Sequence, residues 1–424
     1  MEWVVVGNRF PWPLRDGGAQ ASYLLLNSLA EKGLKVVFFS FNTKKHWVDE
    51  QQLKSAFNFL EYQSFPKDST PTAWGALGNL FSKRSYHVQR YYDVKASEEL
   101  KSCLSQLKEP KLWVEGLYSV PLIEPLLPWI KERNIPVYYR AHNIEYQIWE
   151  RVANASTNLF KQFYLNLQSR RLKLYEEKCW TWFNCLMPIT SADADTMQSC
   201  IQNRQEVVGV NERFPKILLY QPGFADVEKR ILSVKESLAA NGDSIGRTLN
   251  RCFHLGSMEW EANKQSVEWF LKNCWPRIRE KNNLAEFHLA GKGLQKNDNR
   301  YRGEGVVVHG EVESSSNFIS QHGISVVPLL SGSGIRMKIL EAMLMGSPVV
   351  TTSIGMQGLA VLEGMELQIA NDAMEFAEKV LELMGNPDKM DFQRKLAWEF
   401  LIKNHNESAN IQRIIDALMA EVSS

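Results

Sequence analysis

Along the chain, short continuous apolar runs alternate with longer stretches in which apolar residues recur every three or four positions. Trp3-Val-Val-Val6 is continuous and apolar, which suits a strand buried on both faces. A loop follows that holds two prolines and the pair Gly17-Gly18. Ala21 to Lys32 then predicts an amphipathic helix stopped by Gly33. Lys35-Val-Val-Phe-Phe-Ser40 predicts the next strand. Strand, loop, helix and strand in this order make one βαβ unit, the building block of a parallel sheet.

The alternation recurs. Lys111-Leu-Trp-Val114, Val137-Tyr-Tyr139 and Leu186-Met-Pro-Ile189 read as strands, with a long helical region over about 158–183 between the last two. After Tyr220-Gln-Pro-Gly223 the apolar pattern fades until about Asn250, which predicts a linker. A second series then begins: strands at 252–256, 286–290, 306–309, 324–329 and 348–352, with a helix over 263–281. Phe392 to Val422 reads as amphipathic helices. The pattern predicts two α/β halves.

Composition narrows the function. At 424 residues the chain is too long for one ordinary domain, and 44% hydrophobic with 23% charged residues is normal for a globular protein. Lys and Arg number 49 against 48 Asp and Glu, so a nucleic-acid binder is not expected. No apolar run approaches the ~20 residues that span a bilayer, and the N-terminus lacks a signal-peptide pattern. The six cysteines form no CxxC pair, so no zinc site is predicted and reduced cytosolic thiols are expected.

Chemistry concentrates at Ser331-Gly-Ser-Gly-Ile-Arg-Met-Lys-Ile-Leu-Glu341. A strand runs into a glycine-bearing loop that opens a helix ended by Gly346. Free backbone amides there, with Gly332 and Gly334 permitting close approach, suit a bound phosphate. Arg336 and Lys338 sit where a helix dipole disfavours cations, so an anionic ligand would account for them. Glu341 can accept hydrogen bonds from two ribose hydroxyls; alternatively, Lys338 and Glu341 form an i,i+3 surface pair.

This stretch resembles the donor-site motif of retaining glycosyltransferases of family four, which have the GT-B fold. The resemblance extends through Gly17-Gly18-Ala-Gln, Arg140-Ala-His-Asn-Ile-Glu145, Pro222-Gly223, and Phe253-His-Leu-Gly-Ser-Met258 with Trp260 and Asn263. It implies two facing Rossmann-like domains with parallel sheets: 1–225 for the acceptor, 250–395 for the donor, and 396–424 crossing back to the first. Two positions depart from the family pattern. Ser333 stands where a first glutamate contacts the donor sugar, and Ser257 and Met258 replace a usual Arg and Lys.

The resemblance implies transfer from a nucleotide diphosphate sugar to a hydroxyl of a glycan, lipid-linked or other acceptor, in the cleft between the halves. Attack would come from the front face, with retention and without a protein nucleophile, cofactor or metal. Arg336, Lys338 and the amides around Gly332, Ser333 and Gly334 would hold the diphosphate, Glu341 the ribose, and His142 the acceptor side. A strand-end packing role is the other reading of His142. Lys264 is a second phosphate candidate or a solvated helix residue. His309 lines a base pocket or packs a loop. Gly17 and Gly18 form a ligand-facing loop or a plain turn, and Arg140 and Glu145 touch substrate or hold their loop. The basic aromatic stretch Lys161 to Lys173 is a core helix with a solvated rim, or it meets the inner membrane face as a peripheral contact. A nucleotide-sugar epimerase and a non-catalytic binding partner of the same fold are the alternatives.

Overall fold

The computed structural model describes residues 2–14, 17–208, 214–240, 249–332 and 334–420. The chain divides into two compact units, Met1–Pro222 with Glu407–Ser424, and Gly223–Asn406.

The first unit is built on seven strands: β1 (Glu2–Gly7), β2 (Lys35–Thr43), β3 (Glu61–Lys67), β4 (Pro110–Glu115), β5 (Val137–Ala141), β6 (Cys185–Pro188) and β7 (Lys216–Ile217). All pair in parallel, in the order β3-β2-β1-β4-β5-β6-β7. The central strands are buried along their length, apart from the first residues of β1 and β4, because helices cover both faces, which is why they read as apolar runs. Register places Gly7 beside Glu115, and Glu115 beside Arg140. One layer of core joins Trp3, Leu25, Leu26 and Leu29 to Ile411, Ile414 and Leu418 of the helix Glu407–Ala420. The last helix thus completes the first unit's core; each such side chain contributes roughly 1.5–3 kcal/mol.

The second unit has six parallel strands: β8 (Arg251–Leu255), β9 (Glu286–Ala290), β10 (Val306–Gly310), β11 (Ile324–Val327), β12 (Val349–Thr351) and β13 (Gln368–Ile369). Their order is β10-β9-β8-β11-β12-β13. In both sheets the order reverses once, between β1 and β4 in the first and between β8 and β11 in the second. Open parallel sheets bind ligands outside the carboxyl ends of the strands at such reversals.

Several boundaries differ from those the sequence predicts. Gly17 and Gly18 are not a loop but the first turn of the helix Gly17–Glu31. The expected linker after Gly223 carries the helix Val227–Ala240, and residues 241–248 lie outside the described residues. Val227 and Ile231 of that helix are buried, and Val234 and Leu238 pack beside them, all in the core that includes Ile339 and Leu340. The spacing of these four residues is helical, but polar residues between them mask it. The helical region expected over about 158–183 is the helix Leu159–Trp180, with Asn158 capping it by accepting from the Lys161 amide at 3.0 Å, and a further helix, Glu145–Asn154, precedes it. The helix expected at 263–281 begins at Glu261 and contains a π-helical turn, Phe270–Cys274, just before Pro276, which has no amide hydrogen to donate. The segment expected to return at 396 is, up to Asn404, part of the helix Pro387–Asn404, whose Trp398 and Leu401 lie in the second unit's core. Among the described residues no helix is long and apolar enough to cross a membrane.

Candidate functional site

In the first unit a pocket opens at the sheet reversal, lined by Gly7 at the end of β1 and Arg9 beyond it, Gly18 and Ser22 from the helix that follows, Glu115 at the end of β4, His142 just after β5, and Glu145 at the start of the next helix. Glu115 organises it. The carboxylate is almost wholly buried and accepts from Trp113 Nε1 at 2.7 Å, from Ser22 Oγ at 2.8 Å, and from His142 Nε2 at 2.8 Å. The Arg140 guanidinium lies 3.8 Å away. Burial alone would raise this carboxyl. Arg140, His142 and the Trp113 hydrogen bond together outweigh burial and hold it at about 2.

An ionised carboxylate only accepts, so His142 Nε2 must carry a proton. Neutral His142 therefore presents the lone pair of Nδ1. Arg140 is fully buried: its guanidinium stacks over the Tyr220 ring at 4.1 Å and donates to the Ala21 carbonyl at 3.3 Å. It lies behind Glu115 rather than among the pocket-lining side chains. Glu145 does line the pocket, accepts from Tyr118 Oη at 2.8 Å, and is raised by burial.

In the second unit, Arg336 is the N-cap residue of the helix Met337–Leu344, beyond the carboxyl end of β11. Lys338, in its first turn, points back to β8. Its ammonium donates to Asn263 Oδ1 at 2.9 Å and to His254 Nε2 at 3.3 Å, while His254 Nδ1 donates to the Val326 carbonyl at 2.9 Å. Burial, reinforced by the Arg336 charge and opposed by Glu341, brings Lys338 down to about 7. Burial raises Glu341, against the charges of Arg230 and Lys338.

Gly256 follows β8, and a Cβ there would stand 2.6 Å from Lys338 Nζ. Gly332 has φ +130°, and a Cβ on it would come within 2.7 Å of Arg336 Nη2. These glycines let two cations approach the backbone at a helix N-terminus, an arrangement that receives anions.

Comparisons with known proteins bear on this geometry. Structures resembling the whole chain include the UDP-forming α,α-trehalose-phosphate synthase of Burkholderia vietnamiensis, with a TM-score of 0.65, 12% identity and 100% of both chains covered. Anabaena HepE in complex with UDP and glucose matches at a TM-score of 0.60 and 12% identity, over 99% of this chain and 100% of that one. The fold is GT-B.

Residues 250–386, the core of the second GT-B unit, match the family Glycosyl transferases group 1. A 44.6 kDa protein in the cps region of Klebsiella pneumoniae is 27% identical over 161 residues, 36% of this chain. The match spans only 42% of that relative.

Within the GT-B frame the remaining candidates separate. Lys264 pairs at 3.4 Å with Glu261 on its own helix, while its neighbour Asn263 joins the Lys338 cluster. His309 meets His288 at 2.9 Å on β9 and β10 at the edge of the second sheet. Ser333 lies outside the described residues. At the start of the helix Leu159–Trp180, Phe160 and Phe163 are 88% and 72% exposed. The segment beside it, held by Arg171 donating to the carbonyls of Asn79 and Leu80, exposes Trp74 and Phe81.

Glu115, Ser22, His254 and Arg230 join these sites in addition to the residues expected from the sequence. An acid directly after the apolar strand Leu112-Trp-Val114 was a signal for Glu115. His254 sits inside the motif Phe253-His-Leu-Gly-Ser-Met258. For Ser22 and Arg230 no local pattern distinguishes them from ordinary helix residues.

Proposed function

We propose that this chain is a glycosyltransferase that moves a sugar from a uridine diphosphate sugar to an acceptor hydroxyl, in polysaccharide or glycoconjugate synthesis. The observation that carries the reading is the buried Lys338 ammonium at a helix N-terminus, drawn together with His254, Asn263 and Gly256 at the reversal of the second sheet. A buried ammonium whose hydrogen-bond partners, Asn263 and His254, are neutral lacks a counter-charge, and a diphosphate would supply one. Arg336, Lys338 and the helix amides would take up the charge that develops on the leaving diphosphate, so transfer needs no metal there. Glu341 would receive the ribose hydroxyls. In the first unit His142, fixed by Glu115, would orient the acceptor hydroxyl through Nδ1. The group 1 match supports the reaction class, UDP in HepE and the UDP-forming synthases supports the base, and the cps-region relative supports the polysaccharide setting.

Transfer with retention follows from the resemblance to family four. Contact with an anionic membrane surface through Phe160, Phe163 and the adjoining Trp74 and Phe81 would bring the first unit to a lipid-linked acceptor. A screen of nucleotide sugars by thermal shift, followed by product analysis by NMR, tests the proposal. UDP-sugar stabilisation and transfer to a glycan acceptor with an unchanged anomeric configuration are expected. An inverted linkage overturns retention, and tight nucleotide binding without turnover on any acceptor overturns the enzymatic reading.

A further inference from the structure

Away from the Lys338 cluster, at the outer edge of the second sheet, three histidines converge that are far apart in sequence: His288 on β9, His309 on β10, and His322 just before β11. One ring nitrogen from each lies within 4.8 Å of the others. His288 and His322 are almost fully buried, and His309 is half-buried.

The hydrogen bonds around the trio fix which nitrogens face one another. His288 Nε2 donates to Glu286 Oε2 at 3.2 Å, a carboxylate that also accepts from Arg251 at 2.8 Å. With His288 neutral, Nδ1 is left as a bare acceptor. His322 donates from Nδ1 to the Phe318 carbonyl at 2.6 Å, which leaves Nε2 bare. His309 Nε2 donates to His288 Nδ1 at 2.9 Å. Two outer acceptors therefore orient two lone pairs inward, and one proton occupies the place between the rings. Metal-binding histidines show this same arrangement, the outer N–H given to a carboxylate or a backbone carbonyl. Burial lowers all three imidazoles, His288 and His322 to about 4, so none has to shed a charge at neutral pH to become a ligand.

We infer that His288 Nδ1, His309 Nε2 and His322 Nε2 form a binding site for a borderline divalent transition cation, with zinc as the best fit. Zinc takes three imidazoles at about 2.0–2.1 Å, which sets the nitrogens roughly 3.3 Å apart in a tetrahedron. The His288–His309 pair is already closer than that, and His322 has less than about two ångströms to move. Binding moves the His309 proton from Nε2 to Nδ1 by exchange with solvent, so the ring stays a neutral imidazole, and a water on the half-exposed His309 side fills the fourth position. Imidazole-only ligation favours zinc, copper or nickel over magnesium or calcium. The cation would tie the edge strand β10 to β9 and to the segment entering β11. Two of its ligands stand on β10 and β9, at the other end of the sheet order from β12 and β13.

The test uses full-length protein freed of metal by chelation. Titration with cobalt(II) is followed by visible absorption, and zinc affinity by calorimetry. One cobalt per chain with the intense visible bands of four-coordinate cobalt is expected, displaced by zinc. His309→Gln is expected to weaken zinc binding at least about tenfold, and Glu286→Gln by about 10- to 100-fold through the outer hydrogen bond. The weak spectrum of six-coordinate cobalt overturns the site, and so does thiolate-to-cobalt charge transfer, which would place the ion on cysteine. Unchanged zinc affinity in His309→Gln also overturns it. The cobalt spectrum of the unaltered protein decides the matter even if a variant fails to fold.

Discussion

Glu115 and His142, at the ends of neighbouring strands, share a 2.8 Å hydrogen bond in which the imidazole is the donor. The bond sets the tautomer of a pocket-lining histidine. Glu115→Gln retains the shape but can present an amide donor to His142, which reverses the tautomer. Transfer should fall by about 10²-fold or more, while UDP affinity, set in the second unit, stays within twofold. Steady-state kinetics beside calorimetric UDP binding will check this; equal losses in both would contradict it.

The same carboxyl makes a prediction for acid stability. Its native value, about 2, lies below the ordinary 4.5. Its stabilisation is therefore complete above pH 4.5 and is lost as pH falls through 2, an amount of about 3 kcal/mol. Chemical denaturation should show a shallower loss of stability over this window in Glu115→Gln than in the unaltered chain. Parallel pH profiles would refute the assignment.

In the proposed role, Lys338 would couple nucleotide binding to protons. Without ligand it titrates near 7, and a bound diphosphate favours its charged form. Above pH 7, binding must take up a proton, so UDP affinity declines as pH rises, at most about tenfold per pH unit. Calorimetry at pH 8.5 in two buffers of different ionisation enthalpy should report uptake close to one proton. Lys338→Met should abolish the uptake and weaken UDP at least about tenfold. Identical heats in both buffers would count against it.

Gly256→Ala puts a methyl group 2.6 Å from Lys338 Nζ and 3.1 Å from Asn263 Nδ2. The ammonium has to move, so weaker UDP binding is expected, by about tenfold, with an intact fold by circular dichroism. A substitution of no effect on UDP would show that the cluster does not receive the nucleotide.

Phe160→Ser combined with Phe163→Ser removes two exposed rings from the helix Leu159–Trp180 without touching its buried face. Cosedimentation with vesicles containing phosphatidylglycerol should drop several-fold while activity on a soluble acceptor is retained. Equal cosedimentation of both proteins would exclude this surface.

Strands buried on both faces were readable from the sequence because their apolar runs have no competing explanation: Trp3-Val-Val-Val6 and Glu286-Phe-His-Leu-Ala290 emerge where expected. The Arg336–Lys338 helix start was equally plain, since two cations there oppose the helix dipole. Constellations assembled across the sheet were not readable. Glu115 gains its meaning from Arg140 and His142 on the next strand and from Ser22 on a helix, and strand register is not written in local spacing. The three histidines were hidden for the same reason. Val227, Ile231, Val234 and Leu238 did carry a helical period, but with polar intervening residues it resembled a linker.

The helix Glu407–Ala420 closes the core that Trp3 and Leu25 begin. A ribosome makes this chain from one end, so Gly223–Asn406 has every residue it needs before Ile411 and Leu418 exist. The half synthesised first is the last to be finished. Until then the part of its apolar layer that Ile411, Ile414 and Leu418 cover stays open to water.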